Sequence, residues 1–122
     1  MILVDSSVWA DHFNRSDPIL MRLLRVREVI MHPFVMGELA VGRLSDRAAS
    51  LAILRKLPRS AVARHEEVLQ LIEDRQLFGC GIGFVDAHLL AAVLVIPNTV
   101  LWTRDKALRA VARQLSLAAD LT

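Results

Sequence analysis

The sequence predicts an α/β domain built on a central, mostly parallel sheet. Three observations carry that expectation. The apolar runs Met1–Val4, Glu28–Met31 and Thr99–Trp102 are too short for helix cores and read as buried strands. Longer segments with apolar residues at helical spacing lie between them. Strands that alternate with amphipathic helices form parallel sheets, because parallel neighbours need a long crossover connection.

The elements follow in order. After the first strand, Ser7–Phe13 reads as a short helix. Asp17-Pro18 is a helix start, with Asp as N-cap and Pro at the first helical position. Behind it Ile19, Leu20, Leu23 and Leu24 form a stripe opposite Arg22 and Arg25. "EVIM" (28–31) is the second strand, and Pro33 opens a helix expected to run to about Leu44. Asp46–Leu57 is amphipathic and ends at Pro58. "AVA" at 61–63 is expected to form a short strand. In His65–Leu77, Val68, Leu69, Leu71 and Ile72 face away from Glu66, Glu67, Glu73 and Asp74. "GCGIG" breaks the chain before a helix from about Val85 to Val95. Pro97-Asn98 turns into the strand "TVLW", and Leu108, Val111, Ala112 and Leu115 mark the last helix.

With 122 residues and no repeat or linker, the chain reads as one domain, residues 1–122. Its hydrophobic fraction is 54% and its mean hydropathy +0.41, high enough to suggest surface buried in an oligomer or partner interface. The longest apolar run, Leu89–Ile96, has eight residues, far short of the roughly 20 that span a bilayer. The N-terminal segment does not read as a signal peptide. A single cysteine, Cys80, excludes an intrachain disulfide and a thiolate metal cluster, so a cytoplasmic setting is expected. Net charge is +2, and most of the basic residues are Arg, whose forks suit phosphate oxygens.

Four acids sit where a plain surface role is hard to accommodate. Asp5 follows the first strand and Asp105 the last, and ligands of open α/β sheets bind beyond the carboxyl ends of strands. Glu38 is the only charge between Pro33 and Gly42, and Asp86 the only formal charge between Arg75 and Arg104. Taken singly, Asp5, Asp86 and Asp105 could be helix caps and Glu38 a solvated residue. Taken together they read as an acidic metal site, since an unpaired carboxylate in an apolar stretch is costly unless a cation is shared. Oxygen ligands without cysteine select Mg²⁺ or Mn²⁺ over zinc. His88, two residues after Asp86, is off that helical face and is expected to be packed rather than ligating. "GCGIG" matches neither glycine-rich phosphate-loop pattern.

In order and spacing, "ILVDSSVW", "MGEL", "FVDAHLLAA" and "LWTRDKAL" resemble the PIN-domain family, in particular the VapC-type toxins of bacterial toxin–antitoxin pairs. The resemblance covers essentially the whole chain. It implies a PIN-like three-layer fold, a mostly parallel sheet flanked by helices, and matches Asp5, Glu38, Asp86 and Asp105 to the family's acidic cluster. Ser7 matches the small polar residue after the first acid, and Thr103 a hydroxyl residue before the last. The implied activity is a Mg²⁺- or Mn²⁺-dependent ribonuclease that cleaves single-stranded or loop RNA with a metal-activated water. A homodimer and a cognate antitoxin that inhibits it are implied as partners. Arg22, Arg25 and Arg43 are candidates to meet RNA phosphate or an antitoxin carboxylate.

Two other readings compete with this one. A phosphatase using Asp5 as nucleophile lacks its acid partner, because "DSS" stands where Asp-x-Asp is needed. A non-catalytic RNA- or partner-binding module on the same fold is the main alternative.

Overall fold

The computed structural model describes residues 1–121. Three parallel strands, β1 (Ile2–Val4), β2 (Val29–Ile30) and β3 (Val100–Trp102), lie in the order β2-β1-β3. Ile2 pairs with Val29 on one side and Val100 on the other, so the first strand is central. Seven helices among the described residues flank the sheet: α1 (Ser6–Asn14), α2 (Pro18–Arg25), α3 (Pro33–Val41), α4 (Arg47–Arg55), α5 (His65–Asp74), α6 (Phe84–Val95) and α7 (Lys106–Gln114).

The strands are short, yet nearly all their side chains are buried, as expected for a sheet covered by helices. Leu3, Trp9, Leu20, Leu54, Leu89, Trp102 and Leu108 belong to one core that draws on both ends of the chain. α6 contributes most of its length, with Ala87 to Val93 all buried. α1 packs on α3, α5 on α6, and α6 against β3.

Helix starts follow the local chemistry. Asp17 Oδ1 accepts from the Ile19 and Leu20 amides at 2.9 and 3.0 Å, with Pro18 at the first helical position. His32 takes the same role for α3, where Nδ1 accepts from Phe34 N–H at 2.9 Å.

Several expectations shift, among them the end of α5, at Asp74 rather than Leu77. α3 ends at Val41 rather than Leu44, because Gly42 leaves helical geometry and turns its N–H to Leu39 O. The strand expected at 61–63 does not form. Pairing occurs earlier, in a single parallel bridge of Arg59 with Met31, held by Met31 N–H to Pro58 O and Ser60 N–H to Met31 O. The chain at His32 has already turned to cap α3, so residues 61–63 find no strand to join. Among the described residues, no helix is long and apolar enough to cross a membrane.

Candidate active site

The carboxyl ends of β1 and β3 open onto a cavity of about 460 Å³. Asp5 reaches it from the end of β1, Glu38 from α3, Asp86 from the first turn of α6, and Asp105 from the start of α7. All four acids, more than 30 residues apart from one another except Asp86 and Asp105, therefore share one wall system.

Asp5 is the most enclosed of the four, 6% exposed. Its Oδ2 accepts from Ser7 Oγ at 2.7 Å and Thr103 Oγ1 at 2.8 Å, with the Ser7 amide at 3.4 Å. Ser7 Oγ in turn accepts from Arg104 N–H at 3.0 Å, and Thr103 Oγ1 from Asp105 N–H at 3.1 Å. Both hydroxyls thus spend their protons on one carboxylate oxygen and their lone pairs on the loop after β3. Ser7 and Thr103, the two hydroxyl residues the resemblance points to, are both hydrogen-bonded to Asp5.

The cap role is present in the geometry. Asp105 Oδ1 accepts from Leu108 N–H at 2.9 Å and Asp86 Oδ2 from Gly83 N–H at 2.9 Å, so both serve helix starts. Each bond engages one carboxylate oxygen, as do the three donors to Asp5 Oδ2. All three residues also line the cavity.

The electrostatics show that these charges are crowded. Burial, reinforced by the Asp5 and Asp86 charges and opposed by a hydrogen bond from Ser6, raises the Glu38 pKa. Burial likewise raises Asp86, with the Asp5 and Asp105 charges adding to it and the Gly83 amide opposing. Glu38 is not enclosed as its apolar neighbours suggested. It lies on an exposed face of α3 beside Gly37 and Val41, the latter 89% exposed, and so reaches the cavity from its rim.

A divalent cation suits this donor set, which is all hard oxygen and carries mutual repulsion that a cation would relieve. Among the described residues, no three His, Cys, Asp or Glu side chains already stand in a geometry that could hold an ion.

His88 lies elsewhere. It is fully buried, and its Nε2 is 3.0 Å from His65 Nδ1, among the rings of Phe34 and Phe84. Residues two apart on a helix point to different sides, and Asp86 and His88 do so here.

Sequence reasoning missed Arg104. Its guanidinium binds Asp11 at 2.8 Å and Asp17 at 2.6 Å and lies over Trp102, tying the loop after β3 to α1 and to the start of α2. Burial alone would raise the Asp17 pKa, but the bond from Arg104 and the amides of Leu20 and Ile19 outweigh it, and the net shift is downward. No spacing signal links positions 11, 17 and 104. Arg43 lines the cavity, as do Phe13 and Asn14; only Arg43 of the three had been singled out.

A parallel α/β sheet with four carboxylates gathered beyond its strand ends defines a PIN-type domain with an acidic centre. Ribonuclease VapC32 of Mycobacterium tuberculosis, found in two strains, is 43% identical over 118 residues, which cover 97% of this chain and 95% of the relative. The chain therefore belongs to the VapC ribonuclease family of PIN domains. In the crystal structure of PAE2754 from Pyrobaculum aerophilum, a chain with 20% identity superposes with a TM-score of 0.58 over 94% of each chain, a likeness of fold. No family model matches the sequence.

Proposed function

We propose that residues 1–122 act as a single PIN domain and a cytoplasmic ribonuclease toxin, dependent on Mg²⁺ or Mn²⁺ and held inactive by a cognate antitoxin. The observation that carries this reading is the meeting of Asp5, Glu38, Asp86 and Asp105 in one cavity, in a chain of the VapC ribonuclease family. RNA is the proposed substrate, in single-stranded or loop form, whose backbone can enter a narrow groove. The high apolar content and exposed side chains such as Val26, Val41 and Val95 support a homodimer and an antitoxin interface.

The roles of the residues follow from their surroundings. A cation held by the four carboxylates would supply Lewis-acid charge at the scissile phosphate and make a water nucleophile available at neutral pH. Asp5 is the fixed member, because Ser7 and Thr103 hold its Oδ2. Those bonds leave Oδ1 as the ligating oxygen and restrict the carboxylate to one orientation. Asp86 and Asp105, each anchored through one oxygen to a helix start, offer the other. Glu38, on the rim, is the adjustable member. The enzyme needs no histidine base at this site.

The test is to incubate metal-stripped protein, free of antitoxin, with mixed cellular RNA, with and without Mg²⁺ or Mn²⁺, beside Asp5→Asn. Cleavage at discrete sites that requires metal and disappears in Asp5→Asn supports the reading. Folded protein that binds RNA but cleaves none with either metal overturns it in favour of a non-catalytic binding module.

A further inference from the structure

The acids occupy only part of the cavity. Ala10, Phe13, Leu39 and Leu44 line the same cavity, as do Asn14 and Arg43. Metal chemistry on a phosphate has no use for apolar lining, so these residues need their own account.

Its chemistry is specific. Phe13 is the one aromatic ring and Arg43 the one cation among the described residues that line the cavity. Phe13 is half-buried and stacked on Trp9, with ring centroids 5.9 Å apart and planes inclined by 23°. Trp9 is 1% exposed and belongs to the core. The ring is therefore backed by rigid packing, and little conformational freedom remains to be lost when a flat ligand settles on it. Arg43 is exposed, and among the described residues its guanidinium makes no hydrogen bond or ion pair. Its fork is available for two phosphate oxygens. Asn14 likewise presents an amide with a donor and an acceptor.

We propose that the Phe13 side of the acidic cavity is a nucleobase subsite: a base next to the scissile phosphate of single-stranded RNA stacks on Phe13, while Arg43 binds a neighbouring phosphate. This rests on the ribonuclease reading and deepens it by naming where the substrate's base goes. An aromatic platform beside a cation is the usual pairing in single-strand recognition, since every base has a π-face and every nucleotide a charge. Duplex RNA does not offer an unstacked base and is excluded from the subsite on the same ground. A protein segment could also cover apolar lining, but an uncommitted Arg fork in the same cavity fits a phosphate chain better than an apolar side chain.

The experiment uses the full chain and a short single-stranded oligoadenylate carrying 2-aminopurine in place of one adenine, with Ca²⁺ replacing Mg²⁺ to limit turnover. The variants are Phe13→Leu, which keeps apolar packing on Trp9 without a stacking face, Phe13→Tyr, which keeps the face, and Arg43→Gln. Thermal melts confirm that each folds. The expected result is quenched fluorescence on binding to wild type and Phe13→Tyr. Affinity should fall about tenfold with loss of quenching in Phe13→Leu, and about fivefold in Arg43→Gln. An oligomer of abasic riboses should bind wild type and Phe13→Leu equally. Unchanged affinity and quenching in Phe13→Leu overturns the proposal, and does so in favour of a protein segment if that variant instead loses antitoxin binding. The two readings fail separately. Cleavage by wild type with an unaltered KM and quenching in Phe13→Leu removes the subsite alone. Phe13-dependent quenching without any Mg²⁺- or Mn²⁺-supported cleavage removes the ribonuclease alone.

Discussion

Thr103 and Asp5 stand 98 positions apart in the chain and are joined by a buried hydrogen bond, Thr103 Oγ1 donating to Asp5 Oδ2 at 2.8 Å. That bond exists because β1 and β3 are parallel neighbours with Val4 opposite Trp102. The residues that follow each strand then emerge side by side.

Thr103→Val tests what the bond does for the site. The shape is kept and one donor to a carboxylate is lost, a change that costs about 1–3 kcal/mol where the acceptor is charged. RNA cleavage should fall about tenfold to hundredfold through weaker metal binding. Higher Mg²⁺ should restore part of the rate, and Thr103→Ser should restore most of it. Titration of the rate against Mg²⁺ is the measurement.

Asp86→Asn should separate function from stability in opposite directions. Asparagine still accepts from Gly83 N–H, as Asp86 Oδ2 does at 2.9 Å, but removes a charge that burial and neighbouring acids disfavour. Metal-free protein should gain about 1 kcal/mol while activity is lost, a trade expected of sites that gather like charges. Adding Mg²⁺ should raise the melting temperature of wild type and leave that of Asp86→Asn nearly unchanged. A plain helix cap would give neither result.

His32 gives a pH dependence of known sign. Burial, aided by the neighbouring His88 charge, lowers its pKa to about 4. The unfolded chain, with a pKa near 6.5, therefore takes up this proton before the native state does, and stability is lost as pH falls from about 6.5 to about 4. Full expression of the shift corresponds to roughly 3 kcal/mol. Glu38 and Asp86 act in the opposite sense, because their raised pKa values favour the native state as pH falls into the carboxylate range. His32→Asn keeps an acceptor for Phe34 N–H and removes the titration. Urea midpoints measured from pH 7 down to pH 4 should fall less steeply in His32→Asn than in wild type.

Three helices end in the same costly way. Arg27, Gln76 and Ser116 have φ of 58°, 54° and 59°. In each case the next residue's N–H reaches back to close the turn, Glu28 to Leu23 O, Leu77 to Ile72 O and Leu117 to Ala112 O. Glycine is the usual residue at such an end, since a side chain disfavours that conformation. Gln76→Gly, at an exposed position, should stabilise the fold by about 0.5–1 kcal/mol without altering activity. Thermal denaturation of the metal-free protein reads this directly.

By itself the sequence determined the fold class and the order of strands and helices along the chain, and it singled out the four acids that line one cavity. Each of these is written in local pattern: apolar runs too short for helices, stripes at helical spacing, Asp17-Pro18 as a helix start, and charges interrupting apolar stretches. Tertiary structure decided the rest. The three helix ends carry no glycine, so nothing local marked them. The strand expected at 61–63 depended on a neighbour that had already turned into α3. Whether Asp5, Asp86 and Asp105 were caps or cavity-lining groups could not be read from spacing, because each both accepts a hydrogen bond at a helix start and lines the cavity. Arg104, with Asp11 and Asp17, was hidden for the same reason that Phe13 and Arg43 were: contacts between distant positions leave no period in the sequence. They arise only when the parallel sheet brings the ends of its strands to one edge.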